Sequence, residues 1–259
     1  MSSQRYLMQE LTWPEFQARL RDEIIMLPTG SLEQHGPHLP LGVDVVIPTG
    51  FALRTAEALG AGIVAPAVPY GYKSQPTSGG GPLFPGTTSL DGITLVLMIR
   101  DILRDLAKQG ATRFMVFNGH YENQAFVTEA VELLMRDHNP RGDLKAVVVS
   151  WWDLVSNEVR DACFADVGFP GWDTEHAGLT ETALMRVFAP NLVREEEVID
   201  DHAERIPRYQ LFPPPRDIIP ASGVLYAATQ GTRERGELIA NQVVGAMVEI
   251  ARRELALAP

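Results

Sequence analysis

The stretch from Thr29 to Asp44, which reads TGSLEQHGPHLPLGVD, carries the side chains best suited to chemistry. It holds Glu33, His35 and His38 as well as Asp44, so carboxylate and imidazole groups recur at short spacing. The intervening glycines and prolines argue against a helix or a regular strand. Carboxylates and imidazoles are ligands of zinc and manganese. The stretch therefore predicts a loop of fixed shape that can bind metal, the alternative being a surface loop with incidental charges.

Two further clusters carry related side chains. His120 and Glu122 stand two residues apart in NGHYEN, and residues 171–178 read GWDTEHAG. The only cysteine, Cys163, excludes an intrachain disulfide and a thiolate zinc site. The donors of the first two clusters outnumber what one catalytic metal with an open coordination position needs. They fit two metal ions that share a carboxylate, with a bridging hydroxide balancing the remaining charge.

Apolar runs precede the first two clusters and predict the strands that position them. We expect strands at residues 24–27, 63–68, 114–117 and 146–150. Helices are expected at residues 12–21, 48–59, 89–108 and 233–255, after Asn123, and from Leu179. Alternation of strands and helices is typical of an α/β fold with a mainly parallel sheet. Because parallel strands end at one edge of a sheet, we expect all three clusters to converge there, each at a strand end.

Two long segments lack a regular period. Residues 69–86 are irregular, and an irregular segment of that length inside a compact domain is usually functional. A rigid surface loop is the equal alternative for this segment. Residues 191–222 are charged and proline-rich, which favours an extended arm or loop. With no internal repeat and no convincing linker, we expect residues 1–259 to form a single domain.

Composition excludes several classes of partner. The formal net charge of -11 is unfavourable for contact with phosphate backbones, so nucleic acid is not an expected partner. The first twenty residues lack the apolar core of a signal peptide, and no apolar run approaches the ~20 residues of a membrane span. We therefore expect a cytoplasmic protein with no membrane association.

Four segments together resemble the creatininase family, also called creatinine amidohydrolases. They read LPTGSLEQHGPHLPLGVD, YGYKSQPTSGGGPLFPGTTSLDG, FNGHYENQAF and GWDTEHAGLTETALM, and the likeness extends over nearly the whole chain. The first belongs to the wider family, which includes deformylases and a peptide-trimming branch; the other three resemble the creatininase subgroup. The resemblance implies an α/β fold with helices on both sides of the sheet, two Zn²⁺ and/or Mn²⁺ ions per subunit, and a homohexamer.

The resemblance also implies roles for individual residues. Glu33, Asp44 and His120 match the ligands of one metal. His35, Asp44 and Glu122 match those of the other, with Asp44 bridging and Glu122 also catalytic. The residues that match substrate contacts are Ser78, Tyr121, Trp152, Trp172, Asp173, Glu175 and His176. Among these, His176 matches the catalytic proton carrier, and the two tryptophans match the aromatic walls of the pocket.

The implied reaction is the reversible hydrolysis of creatinine to creatine. The flat ring of creatinine suits stacking on Trp152 or Trp172, and Asp173 or Glu175 could accept hydrogen bonds from its amidine edge. In the implied mechanism the metals would supply an activated hydroxide to the lactam carbonyl, and His176 would protonate the leaving ring nitrogen.

Several alternatives stay open at this point. A sister amidohydrolase acting on a formamide or a peptide terminus is one, and a non-catalytic subunit that binds a metal or a ligand is another. The two tryptophans could instead belong to the core. Glu175 could support other residues rather than touch substrate. His38 and Glu181 are expected to support ligands rather than bind metal.

Overall fold

The computed structural model describes residues 3–139, 142–204, 207, 209–215 and 217–255. Its four strands are β1 (Ile25–Thr29), β2 (Ile63–Val64), β3 (Arg113–Asn118) and β4 (Lys145–Ser150). They form one sheet in the order β2-β1-β3-β4, and every pairing is parallel. The α-helices of the described part are α1 (Trp13–Arg19), α2 (Val43–Leu59), α3 (Gly92–Gln109), α4 (Gln124–His138), α5 (Asn157–Cys163), α6 (Leu179–Phe188) and α7 (Arg233–Glu254).

Helices cover both faces of this sheet. Side chains of a strand alternate between its two faces, so Met26 packs on one core cluster while its neighbours Ile25 and Leu27 pack on the other. Helices α2, α6 and α7 contribute to the first cluster, and α3 and α4 contribute to the second. The predicted α/β class, the mainly parallel sheet and the helices on both sides are therefore confirmed. The single-domain span of residues 1–259 stays a prediction.

The chain order creates a topological switch point between β1 and β3. From β1 the chain passes through α2 to β2 at one side, then returns through α3 to β3 on the other side of β1. Helix α2, which follows β1, and helix α4, which follows β3, lie on opposite faces of the sheet, so the loops after β1 and β3 diverge and leave a crevice. Ligand sites of open α/β sheets lie in such a crevice, at the carboxyl ends of the strands.

Proline explains two differences from the predicted elements. Helix α2 begins at Val43, not at Pro48, because Gly42 occupies the N-cap position and the helix tolerates Pro48 inside it. Strand β2 ends at Val64 instead of reaching Val68. Pro66 has no N–H to continue the ladder, and Val68 forms only an isolated bridge with Thr29.

The remaining differences are smaller. Helix α3 takes Asp91 rather than Ser89 as its N-cap residue, and α5 was not predicted. In the predicted arm at residues 191–222, the described residues form no α-helix or strand; positions 205, 206, 208 and 216 lie outside the described residues. None of the described helices combines the length and apolar character needed to cross a bilayer.

Candidate metal centre and active site

The predicted metal ligands come together at the switch point. Glu33 and His35 lie in the loop after β1, Asp44 lies in the first turn of α2, and His120 and Glu122 follow β3. A helix N-terminus favours the carboxylate charge of Asp44.

Two glycines allow this close approach. A Cβ atom at Gly30 or at Gly119 would overlap the backbone carbonyl of Asp44. The hydrogen bond from the Gly119 N–H to the Thr29 carbonyl, at 2.8 Å, holds the two loops together just beyond the strands. The loops after β1 and β3 can therefore both contact the start of α2.

A first donor group, meaning a set of side chains whose oxygen and nitrogen atoms could bind one metal ion, consists of Glu33, Asp44 and His120. His120 Nδ1 lies 3.1 Å from Glu33 Oε2 and 3.1 Å from Asp44 Oδ2, and all three side chains are buried. His120 Nε2 lies 3.0 Å from the carbonyl oxygen of Tyr72, so this nitrogen carries the proton and donates it. The lone pair of Nδ1 is then directed at the carboxylates, which is the arrangement of a metal-binding histidine.

His35 and Asp44 form the core of a second donor group. His35 Nε2 lies 3.2 Å from Asp44 Oδ1 and 3.5 Å from Glu181 Oε1. His35 Nδ1 lies 3.1 Å from the carbonyl oxygen of Glu33 and donates to it, which leaves the Nε2 lone pair free. Asp44 thus directs one oxygen at each donor group, as a carboxylate shared by two metals would.

Unsatisfied atoms show that these residues fit metal ions. Among the described residues, His35 Nε2 and Asp44 Oδ2 are buried without a hydrogen-bond partner, although other potential metal-ligand atoms lie close to them. Such groups are costly unless something else binds them. Ligand atoms of each donor group lie within 4.8 Å of one another, which is close enough to surround one ion. The oxygen and nitrogen donors suit zinc or manganese.

The electrostatics also favour cations. Burial opposes protonation of His35, but the Glu181 and Asp44 carboxylates outweigh it and hold its pKa well above the usual range. Burial also opposes protonation of His120, but the Glu122 and Glu33 carboxylates outweigh it and raise the pKa of His120 well above the usual range. Carboxylates that favour the protonated form of a neighbouring imidazole also favour divalent ions, which compete with protons for the same nitrogen atoms.

Glu122 does not lie beside His35. Its Oε1 accepts hydrogen bonds from the Ser78 hydroxyl and from the backbone N–H of Gln75, the latter at 3.1 Å. Its Oε2 lies 3.4 Å from His120 Nε2. The carboxylate that faces His35 besides Asp44 comes from Glu181 in α6.

A pocket opens above the donor groups. Of the residues predicted for the site, all except His35 line it: Glu33, Asp44, Ser78, His120, Tyr121, Glu122, Trp152, Trp172, Asp173, Glu175 and His176. Indole rings form one wall, since the ring centroids of Trp151 and Trp172 are 5.8 Å apart and those of Trp151 and Trp152 are 5.6 Å apart. Trp151 was not predicted as a site residue.

The third polar cluster is not at the end of a strand, as was expected. Residues 171–178 follow α5 and lead into α6, so side-chain contacts rather than sheet geometry hold them at the pocket. Glu175 accepts hydrogen bonds from the backbone N–H of Thr180, at 2.9 Å, and from its hydroxyl. Both oxygens of Glu175 thus bind Thr180 at the start of α6. Burial, reinforced by the nearby Glu181 carboxylate, raises the pKa of Glu175 to about 7.

His176 lies against the donor groups. Its ring centroid is 4.5 Å from that of His35, and its Nε2 is 4.0 Å from Glu33 Oε1. The next residue, Ala177, adopts a left-handed conformation with φ of 51°, and its N–H donates to Glu181 Oε2 at 2.7 Å. Glu181 thus supports the backbone beside His176 while its other oxygen faces His35.

Three neighbours of the site have contacts that the sequence motifs did not predict. Gln34 contacts His176, the Ser74 hydroxyl donates to Glu33, and Glu181 faces His35 directly. All three residues lie within the sequence motifs and could have been named as candidate site residues. Their partners are distant in sequence, so the motifs alone could not predict these contacts. His38 does not face the donor groups; its Nε2 lies 2.9 Å from the Thr182 hydroxyl.

Comparisons with known proteins show which family the chain resembles. The family model "Creatininase: Creatinine amidohydrolase" matches residues 9–251. The chain is 45% identical to creatinine amidohydrolase from Pseudomonas putida, over 95% of each chain. It is 30% identical to the mycofactocin precursor peptide peptidase from Mycolicibacterium smegmatis, over 89% of this chain and 85% of that protein.

Solved creatininase structures have the same fold. One crystal structure of creatinine amidohydrolase superposes with a TM-score of 0.92 at 44% identity, covering 98% of each chain. A mutant creatininase complexed with creatine has a TM-score of 0.91 at 44% identity, covering 98% of this chain and 99% of that chain. Further creatininase structures are described as a Zn-Zn type and a Mn form. This chain belongs to the creatininase family.

Proposed function

We propose that this chain is a metal-dependent cyclic amidohydrolase that reversibly hydrolyses creatinine to creatine. The observation that carries the proposal is the position of Asp44, whose two oxygens face two separate donor groups beneath an indole-walled pocket. The 45% identity to a creatinine amidohydrolase over nearly the whole chain supports the choice of substrate.

Two divalent ions, Zn²⁺ and/or Mn²⁺, are the proposed cofactors. Glu33, Asp44 and His120 would hold one ion. His35 and Asp44 would hold the other, with Glu122 as the further ligand that the family resemblance implies and with Glu181 facing His35. When bound, such ions polarise a carbonyl group and acidify the attacking water. Glu122 would also act in catalysis, because it lies between the first donor group and Ser78 at the pocket wall.

The pocket walls would orient the substrate. Trp152 and Trp172 offer aromatic faces to a flat ring, and Tyr121, whose centroid is 5.8 Å from that of Trp152, extends this surface. Asp173 is exposed at the pocket and could accept hydrogen bonds from the amidine edge. The Ser78 hydroxyl and Glu175 are proposed as further contacts, although both already bind other side chains.

His176 is the proposed proton carrier. Cleavage of the lactam C–N bond requires a proton on the departing ring nitrogen, and imidazole exchanges protons near neutral pH. His176 lines the pocket next to Glu33 and His35, so it is close to the bond that breaks.

A peptide terminus is the second candidate substrate. Relatives about 30% identical to this chain are named as mycofactocin precursor peptide peptidases. A wider cleft adjoins the pocket and shares Ser78, Tyr121, Glu122 and Asp173 with it. That cleft could accommodate a substrate longer than creatinine.

The assembly and location of the protein are also proposals. We propose a homohexamer in the cytoplasm, with no nucleic acid or membrane partner. Family resemblance supports the hexamer, and the acidic composition supports the absence of a nucleic acid partner. Sedimentation of the purified protein would test the hexamer directly.

Creatinine consumption and creatine formation by purified protein would test the proposed function. The assay is run on metal-stripped protein and again after Zn²⁺ or Mn²⁺ is restored. Metal-dependent turnover in both directions is the expected result. Tight binding of two metals without creatinine turnover would refute the proposed substrate and favour another small amide or a peptide terminus.

A further inference from the structure

Residues 74–81 form a tight turn beside the candidate metal centre, and apart from Ser78 they have no part in the proposed reaction. The turn is held by its own backbone. The carbonyl oxygen of Gln75 accepts hydrogen bonds from the N–H groups of Ser78, Gly79 and Gly80, at 3.1, 3.2 and 3.1 Å. Three hydrogen bonds on one carbonyl oxygen fix the shape of the turn.

Ser74 is the residue of this turn that contacts the first donor group. Its side chain is buried, and its hydroxyl donates a hydrogen bond to Glu33 Oε1. The Ser74 oxygen itself accepts the Gly81 N–H at 3.2 Å, which leaves the hydroxyl hydrogen for Glu33. An ionised carboxylate only accepts hydrogen bonds, so Ser74 is the donor and Glu33 the acceptor.

The two oxygens of Glu33 therefore have different partners. Oε1 is bound by the Ser74 hydroxyl, while Oε2 lies 3.1 Å from His120 Nδ1 within the first donor group. His176 Nε2 lies 4.0 Å from Oε1, which is beyond hydrogen-bonding distance. Ser74 thus holds one oxygen of the carboxylate and directs the other at the position of a metal ion. Hydrogen bonds of this kind orient the ligands of metal sites.

Gly79 provides the space that this orientation of Glu33 needs. A Cβ atom at position 79 would overlap Glu33 Oε1 and would come within 2.7 Å of Ser74 Oγ. Gly79 is not among the residues with a positive φ, so glycine is needed here for space and not for backbone conformation. The Gln34 amide donates to the Gly79 carbonyl at 2.9 Å and holds this part of the turn in place.

The orientation of Glu33 determines how many atoms the first donor group offers to an ion. With Oε2 alone, Glu33 adds one ligand atom to those of Asp44 and His120, which makes three. A catalytic zinc ion typically has three protein ligands and one open position. Binding through both oxygens of Glu33 would add a fourth protein atom and fill that position.

We propose that Ser74 and Gly79 are positioning residues that hold Glu33 by Oε1, so that Oε2 alone binds the first metal ion. The proposal rests on the metal centre of the proposed function. Ser74 supplies the hydrogen bond, and Gly79 supplies the space for the carboxylate. Neither residue is itself a metal ligand, and both act through Glu33.

A crystal structure of the Zn-loaded protein without substrate tests the orientation. We expect Glu33 Oε2 at about 2.0–2.2 Å from the first zinc ion, with Oε1 on the Ser74 hydroxyl. Glu33 bound through both oxygens, or a Ser74 hydroxyl turned away from Oε1, would overturn the proposal. Because no creatinine is present, the result is independent of whether the protein hydrolyses creatinine.

Zn²⁺ titration of metal-free Ser74→Ala tests the role of the hydroxyl. Glu33 Oε1 and the Gly81 N–H both lose their partner in this variant, so Glu33 is free to turn. We expect the first ion to bind about 10- to 100-fold more weakly. The second ion shares only Asp44 with the first and should weaken less. Ser89→Ala, at an exposed serine before α3, is the matched control and should resemble the parent.

The unequal effect on the two ions separates positioning from a general loss of structure. The anomalous scattering of zinc, in crystals grown at limiting Zn²⁺, identifies the weakened position. Parent-like affinity in Ser74→Ala, or equal weakening of both ions, would refute the role of Ser74.

Gly79→Ala is a second variant that moves Glu33 without removing any hydrogen-bonding group. The backbone at position 79 is compatible with alanine, and the added methyl group would displace the end of the Glu33 side chain. We expect the first ion to weaken at least as much as in Ser74→Ala, and parent-like affinity would refute the role of Gly79. This variant and the parent crystal structure stay decisive if Ser74→Ala does not fold.

The outcome for the proposed function can be distinguished from the outcome for Ser74 and Gly79. A parent protein with the expected orientation of Glu33 but without creatinine turnover would count against the proposed substrate alone. A parent protein that binds no zinc at Glu33 would overturn both the metal centre and the positioning role.

Discussion

The two halves of the site are built differently. The ligand half comprises Glu33, His35, Asp44, His120 and Glu122. The tryptophan half comprises residues 171–178 with Trp152. Backbone hydrogen bonds of the sheet hold the ligand half, and His35 and Asp44 are only 1% and 2% exposed. The tryptophan half has no strand, and Asp173 is exposed.

This difference matches the different tasks of the two halves. Donor atoms around a metal must keep their distances within about 0.2 Å, which a parallel sheet and the first turn of a helix can ensure. The tryptophan half is attached through side chains, such as Glu175 on Thr180 and Trp172 on Phe169, whose ring centroids are 4.8 Å apart. Such side-chain contacts can rearrange at a lower cost in free energy than the backbone hydrogen bonds between strands. Changes in the ligand half should therefore affect metal content, and changes in the tryptophan half should not.

Asp44→Asn should have the largest effect. The variant removes the charge shared by both donor groups, so we expect loss of both metals and a fall in kcat of about a thousandfold or more. Atomic absorption and the creatinine assay measure the two effects. Asp105→Asn, an exposed position on α3, is the control. Two metals retained in Asp44→Asn would contradict the bridging role.

His176→Ala should separate rate from metal content. We expect both metals to stay bound, because His176 is not needed to complete either donor group, while kcat falls by roughly 10²- to 10⁴-fold. His202→Ala, at an exposed histidine, controls for the loss of an imidazole. An unchanged rate would remove His176 from the mechanism.

Glu122→Gln should lower both the metal content and the rate of creatinine turnover, each by roughly 10- to 100-fold. Glu181→Gln is the comparison that sharpens this assignment, because Glu181 Oε1 lies 3.5 Å from His35 Nε2. Metal analysis of the two variants decides which carboxylate completes the second donor group. If only Glu181→Gln loses metal, Glu122 is not a ligand. Glu129→Gln, exposed on α4, is the control.

Trp172→Phe should have the smallest effect. A phenyl ring keeps an aromatic face but loses area, which costs about 0.5–1.5 kcal/mol of stacking and raises KM about two- to tenfold. Metal content should not change. Trp13→Phe is the control, because Trp13 is 76% exposed at the start of α1. Loss of metal in Trp172→Phe would show that the two halves are coupled.

Sequence patterns predicted the ligand half better than the tryptophan half. The apolar runs before Glu33 and before His120 mark β1 and β3, so both clusters could be assigned to strand ends. No such run precedes residues 171–178, and their expected place at a strand end was wrong. The polar side chains of residues 171–178 marked them as a candidate cluster, and the resemblance to a known family implied the separate roles of Trp172 and His176.

Local physical chemistry therefore determined the strands, the irregular ligand loop and the types of donor atom. Apolar runs must be buried, and glycine and proline exclude regular structure wherever they cluster. The tertiary structure alone decided which donors meet. The sheet order puts β1 next to β3, two glycines admit the carbonyl of Asp44, and α6 brings Glu181 to His35. Contacts such as Gln34 with His176 join residues 142 positions apart, so no local pattern encodes them. They exist only because packing of the whole chain brings the two segments together.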